Sequence, residues 1–150
     1  MTKSKIDKKP GFFSLRGGKL SSFEKVTLRL SGMRGVREYE LVKKDGGAEL
    51  SLYGIDFSIK EKRADRRVLQ KRALMEEDEA LSLLRKCRLL SWDGFYGKRP
   101  RGLLDGTDFR LEATVNGGTE ISASGSQNFP RGYRELLDAF YELLSGGGEK

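Results

Sequence analysis

The chain has no histidine, one cysteine (Cys87), one tryptophan (Trp92) and three prolines in 150 residues. Without histidine there can be no Ser-His-Asp or Cys-His catalysis, no imidazole acid–base work and no His-ligated metal. A single cysteine closes no internal disulfide and, with no histidine beside it, makes no ordinary structural zinc site. No apolar run approaches the ~20 residues of a bilayer span. The basic N-terminus is not followed by the apolar stretch of a secretory signal. A phosphate loop is missing as well: Gly18-Lys19 runs into Leu20, and Phe13 stands where the leading glycine is needed. These absences predict a cytoplasmic, non-membrane protein with no cofactor, no metal and no catalytic residues; an enzyme would have only carboxylates, lysine, tyrosine or main-chain groups to work with.

Charge is plentiful. Charged residues make up 34% of the chain against 37% hydrophobic, and the net charge is +7. The excess is uneven. Residues 1–30 hold eight cations and two acids, residues 61–75 six and two, and residues 107–150 four and seven. A polarised surface of this kind attracts anions, although net charge is first a matter of solubility.

The pattern of elements predicts one α+β domain over 11–146, with a disordered basic arm at 1–10 and a frayed tail at 147–150. Val26, Leu28 and Leu30 alternate with Lys25, Thr27 and Arg29, as in a half-buried strand. Tyr39 and Leu41 open a second strand that turns at Asp45-Gly46-Gly47 and returns through Ala48, Leu50 and Leu52. After Gly54, Ile55, Phe57 and Ile59 alternate again, either continuing that strand past a glycine bulge or starting another. Val68 and Leu69 mark a short strand. Ala80, Leu81, Leu84 and Cys87 have helical spacing, with acids at 76–79 and Arg85, Lys86 and Arg88 at the far end, complementing the helix dipole. Ser91 to Gly106 reads as a loop. Phe109 to Val115 and Ile121 to Ala123 form a hairpin about Asn116-Gly117-Gly118. Asn128 and Pro130 predict the cap and first turn of a last helix, whose stripe is Tyr133, Leu136, Leu137, Phe140 and Leu144. The expected architecture is a mainly antiparallel sheet of five to six strands with two helices on one face. Asp45–Gly54 (DGGAELSLYG) and Asn116–Gly125 (NGGTEISASG) also match closely enough to raise a duplicated hairpin-plus-helix unit, though similar turns demand similar residues in any case.

The candidate binding residues are Trp92, Phe95, Tyr96, Lys98, Arg99 and Arg101, in a glycine-rich stretch that joins aromatics to cations. Aromatics stack on bases and arginine pairs with phosphate; the competing reading is that Trp92 and Phe95 close the core beneath a solvated loop. Lys98-Arg99-Pro100-Arg101-Gly102 resembles the Arg/Pro/Gly core of an AT-hook, departing from its Arg-Gly-Arg-Pro order. Cations from Lys60 to Arg72 offer a second basic segment, whose ordinary meaning is a protected sheet edge. Asp93 and Asp105 belong to Asp-Gly turn pairs and have no motif around them. Through Trp92, Asp105-Gly106, Phe109, Gly125, Asn128 and Pro130 the last sixty residues resemble uncharacterised bacterial α+β domains, a likeness that implies a fold and no activity.

The favoured expectation is a small non-catalytic interaction or regulatory domain, with a protein partner or self-association. The alternative is nucleic-acid or other polyanion binding through segments 60–72 and 98–101.

Overall fold

The computed structural model describes residues 19–32, 35–55, 67–97 and 107–147. It is an α+β fold with one seven-stranded sheet. In chain order the elements are β1 (Phe23–Gly32), β2 (Gly35–Lys44), β3 (Gly47–Ile55), β4 (Arg67–Glu76), α1 (Glu77–Lys86), a 3-10 turn (Leu89–Trp92), β5 (Tyr96–Gly97), β6 (Asp108–Val115), β7 (Thr119–Ser126) and α2 (Tyr133–Gly147). The sheet order is β4-β3-β2-β1-β6-β7-β5. Every pairing is antiparallel except β5 on β7.

The sheet is mainly antiparallel as expected, but it has seven strands rather than five to six, one of them paired in parallel. The added strand is Tyr96–Gly97, inside the stretch read as loop. Asp93 Oδ1 accepts the Ser122 amide at 2.9 Å, Gly94 N–H donates to Ser122 O, and the Ser124 amide donates to Phe95 O. These bonds lay the chain alongside β7. The strand expected around Val68 and Leu69 is ten residues long. The bulge lies in β4, where Gln70 is the extra residue opposite the Leu52–Tyr53 step. Gly54 stays in register, with the Gln70 side chain over its Cα. Phe57, Ile59, the 1–10 arm and the 148–150 tail lie outside the described residues.

Register explains the core. Val26 lies between Leu41 and Ala113, and Leu28 between Tyr39 and Leu111. Leu41 faces Leu50, and Ala113 faces Ile121. All are buried on one sheet face. Each large apolar side chain so removed from water contributes about 1.5–3 kcal/mol. α1 and α2 touch each other and both cover β3 and β4. The β6–β7 half is covered instead by an aromatic cluster centred on Phe109, whose ring meets Trp92, Phe95, Phe129 and Tyr133 at 5.4–6.3 Å.

α1 begins with a capping box, in which the Glu76 amide donates to Glu79 Oε1 at 3.1 Å and the Glu76 side chain accepts the Glu79 amide. Its acids at 76–79 thus have a structural use beyond the dipole. α2 starts later than Asn128 and Pro130 predict. Those residues precede the helix, the Tyr133 N–H closing a turn onto Pro130 O, and the first bond of helical span runs from Leu136 N–H to Gly132 O. Gly132, at φ +93°, lies so close to Cys87 O that no Cβ would fit there, and this contact sets where the chain turns into the helix.

The duplicated unit does not match the topology. β2 and β6 flank β1 and both run antiparallel to it, so hairpins β2–β3 and β6–β7 step away from β1 in opposite directions. Rotating one onto the other would turn its buried face outward. The shared Gly46 and Gly117 are residues that hairpin turns require.

Candidate functional site

Trp92 is fully buried. Its indole N–H donates to Cys87 O and Arg131 O, both at 3.0 Å, and its ring meets Phe109 edge-on. Phe95 packs on the same Phe109 ring. Both aromatics therefore pack on the core side of the sheet, Trp92 wholly enclosed and Phe95 half-buried. Tyr96 is exposed and sits beside Ser124 in the β5–β7 register. Lys98, Arg99 and Arg101 lie outside the described residues, as do 60–66 and Asp105. Asp93 is occupied in holding the Ser122 amide.

Arg67–Arg72 lies on edge strand β4 and Gly97 on edge strand β5, six strand spacings or about 29 Å apart. Two of the 67–72 cations are engaged internally. Arg67 Nη1 lies 3.3 Å from Glu38 and 3.9 Å from Glu40, with its guanidinium 4.0 Å over the Tyr53 ring, and Arg72 Nε meets Glu49 at 3.1 Å. Lys25–Glu40 and Lys44–Glu49 continue the pairing across the face turned away from the helices.

Cys87 ends α1 with its thiol donating to Leu84 O at 3.4 Å; burial pushes its pKa up to about 12. The Tyr133 hydroxyl is likewise pushed up to about 12 by burial, against the opposing charges of Arg37 and Arg134. Neither group is poised for nucleophilic work near neutral pH. No group of three or more Cys, Asp or Glu among the described residues could hold a metal, and no described helix is long and apolar enough to cross a membrane.

Two surfaces stand out instead. The first is the β4 edge. Of five exposed large hydrophobic side chains among the described residues, Val68, Leu69 and Leu74 are on this strand, Leu74 at 76% exposure. Beside it runs a groove of about 420 Å³ between β4 and the helices, walled by Leu74, Met75, Leu83, Ala139 and Leu143 with Glu79 and Glu142. The second is a trough of about 350 Å³ on the opposite sheet face, at the β1–β6–β7 end, where Arg29, Arg110, Asp108 and serines of β1 and β7 meet. The cation run from Lys60 to Arg72 marked the β4 edge in the sequence, but not the exposed leucines on it, the groove beside it or the trough. Arg29 and Arg110 are 81 residues apart and read as ordinary outward cations until register sets them side by side.

No protein-family model, curated protein or solved structure matches the chain.

Proposed function

We propose that the chain is a non-catalytic interaction domain that takes an extended segment of another protein along β4. The observation carrying this reading is the concentration of exposed apolar side chains on one sheet edge. An edge strand of ten residues presents a row of outward backbone groups, a template for strand addition in which alternate side chains of the guest give specificity. Leu69 and Leu74 would meet apolar side chains of the guest on one face, and the groove beside Met75 and Leu83 would take one on the other.

The guest is acidic between its apolar positions. Lys71 on β4 has no acid paired to it among the described residues, unlike Arg67 and Arg72, and residues 61–75 are net +4 by sequence. The same charges, with the Gln70 bulge, oppose pairing with a second copy, since lysine and bulges on an edge are recognised guards against self-association.

The test is a titration of labelled protein with an acidic strand peptide alternating valine and glutamate, beside a valine–lysine control. Amide shifts confined to residues 67–76, seen with the acidic peptide and abolished by Leu74→Lys, support the reading. Shifts elsewhere, or none at millimolar peptide, overturn it. A concentration-dependent dimer lost in Leu74→Lys would replace the guest by a second copy.

A further inference from the structure

From the trough on the helix-free face, we infer a second, independent site that binds a phosphorylated polyol, with the phosphate held between Arg29 and Arg110. The two residues are direct partners across β1 and β6, a placement that costs stability when both carry the same charge. Neither has an ion pair or side-chain hydrogen bond among the described residues. The carboxylate on the other side of Arg29, Glu38, is taken by Arg67. Two guanidinium forks side by side, each able to grip two oxygens, match a phosphate dianion.

The neighbouring positions explain the depth of the trough and the rest of the ligand. β7 presents Ser124 opposite Arg110 and Ser126 opposite Asp108, and β1 presents Ser31 opposite Asp108 on its other side. Short side chains beside long arginines leave a hollow floored by hydroxyls. Asp108 Oδ1 is buried in this end of the sheet and accepts no hydrogen bond among the described residues. A bare oxyanion would set acceptor against acceptor there, whereas a sugar hydroxyl supplies the missing donor. A volume of about 350 Å³ accommodates a phosphate with a pentose-sized group. This site is at the far end of the sheet from β4, and its test is separate from that of the proposed docking edge.

Isothermal titration at constant ionic strength, with ribose 5-phosphate, inorganic phosphate and ribose as probes, tests it on the full chain. Ribose 5-phosphate is expected to bind more tightly than phosphate, and ribose not at all. R29Q and R110Q should each weaken ribose 5-phosphate by about ten-fold or more, the value of one charge-assisted pair, with R110K intermediate. D108A, which removes the acceptor, should erase the preference for ribose 5-phosphate over phosphate. Both arginines point away from the core, so the Gln variants should melt no lower than the parent protein. The inference is overturned if ribose 5-phosphate gives no heat at 10-millimolar scale, if R29Q and R110Q bind it unchanged while folded, if phosphate binds equally well, or if only a single-stranded oligonucleotide binds.

Discussion

Replacing Trp92 by Phe tests the central structural claim, that this side chain staples the end of α1 to the turn that starts α2. The indole N–H is shared between Cys87 O and Arg131 O at 3.0 Å each. Phenylalanine keeps an aromatic body against Phe109 and Tyr133 but deletes that donor. Leaving buried acceptors unmet costs about 1–3 kcal/mol, and the smaller ring leaves a void worth about 1 kcal/mol more. The expected loss is therefore about 2–4 kcal/mol. For a chain of this size each kcal/mol moves the melting temperature by about 2–4 °C, so the midpoint should fall by roughly 4–16 °C. Far-UV circular dichroism under urea and heat is the right assay, because the substitution removes the only tryptophan and with it the fluorescence signal. A loss below about 0.5 kcal/mol, the usual size for a solvated surface side chain, would refute the staple and restore Trp92 to an exposed role. The same carbonyl offers a second handle: Cys87 O also lies against Gly132, so damage at Trp92 and Gly132 should be non-additive in a double-mutant cycle.

Gly132→Ala alone should destabilise by about 3 kcal/mol or more, because it forces a side chain into φ +93° and drives its Cβ into Cys87 O; equilibrium urea unfolding reads this directly. Cys87 should react with a thiol reagent at neutral pH only after denaturant is added, as a thiol pushed up to about 12 and shut inside the core demands; rapid native-state labelling would contradict that burial. Stability should also fall at alkaline pH. Cys87 and Tyr133 have folded pKa values of about 12 against ordinary values of 9.0 and 10.0. Their contribution is thus fully present below about pH 9 and is lost as pH rises towards 12. Chemical denaturation at a series of pH values checks the sign, and a stability that rose between pH 9 and 12 would reverse it.

Much of the fold could be read from the chain because alternation and turn chemistry act locally. Val26-Leu28-Leu30 and Phe109-Leu111-Ala113 could face a core in only one register, and Gly46 and Gly117 hold turns at positive φ. What escaped was non-local. Tyr96–Gly97 became a strand only because Asp93 and Phe95 bond to β7. The delayed start of α2 came from the approach of Gly132 to Cys87, 45 residues away. Asn116 was legible as a turn residue, but its long-range hydrogen bonds were not. Its Oδ1 accepts the Ser21 and Ser22 amides at 2.8 and 3.2 Å while Nδ2 donates to Lys19 O, tying the approach to β1 onto the hairpin. Composition identifies an asparagine turn; only the fold reveals which distant backbone its amide completes.

Charge was the least faithful guide, and for a definite reason. In sequence, the run from Lys60 to Arg72 is the densest cation cluster, while Arg29 and Arg110 are isolated. The sheet changes the standing of two described members of that run. Arg67 and Arg72 lie beside Glu38, Glu40 and Glu49, so their fields are largely closed within the protein. Arg29 and Arg110, each unremarkable alone, are set against each other with no acid paired to either among the described residues. Attraction for an anion depends on the charge left uncompensated within a Debye length of about 10 Å or less, and that quantity is fixed by cross-strand register. A pair of arginines brought face to face by the fold is therefore a stronger pointer to a phosphate than Arg67 and Arg72, whose acids stand on neighbouring strands.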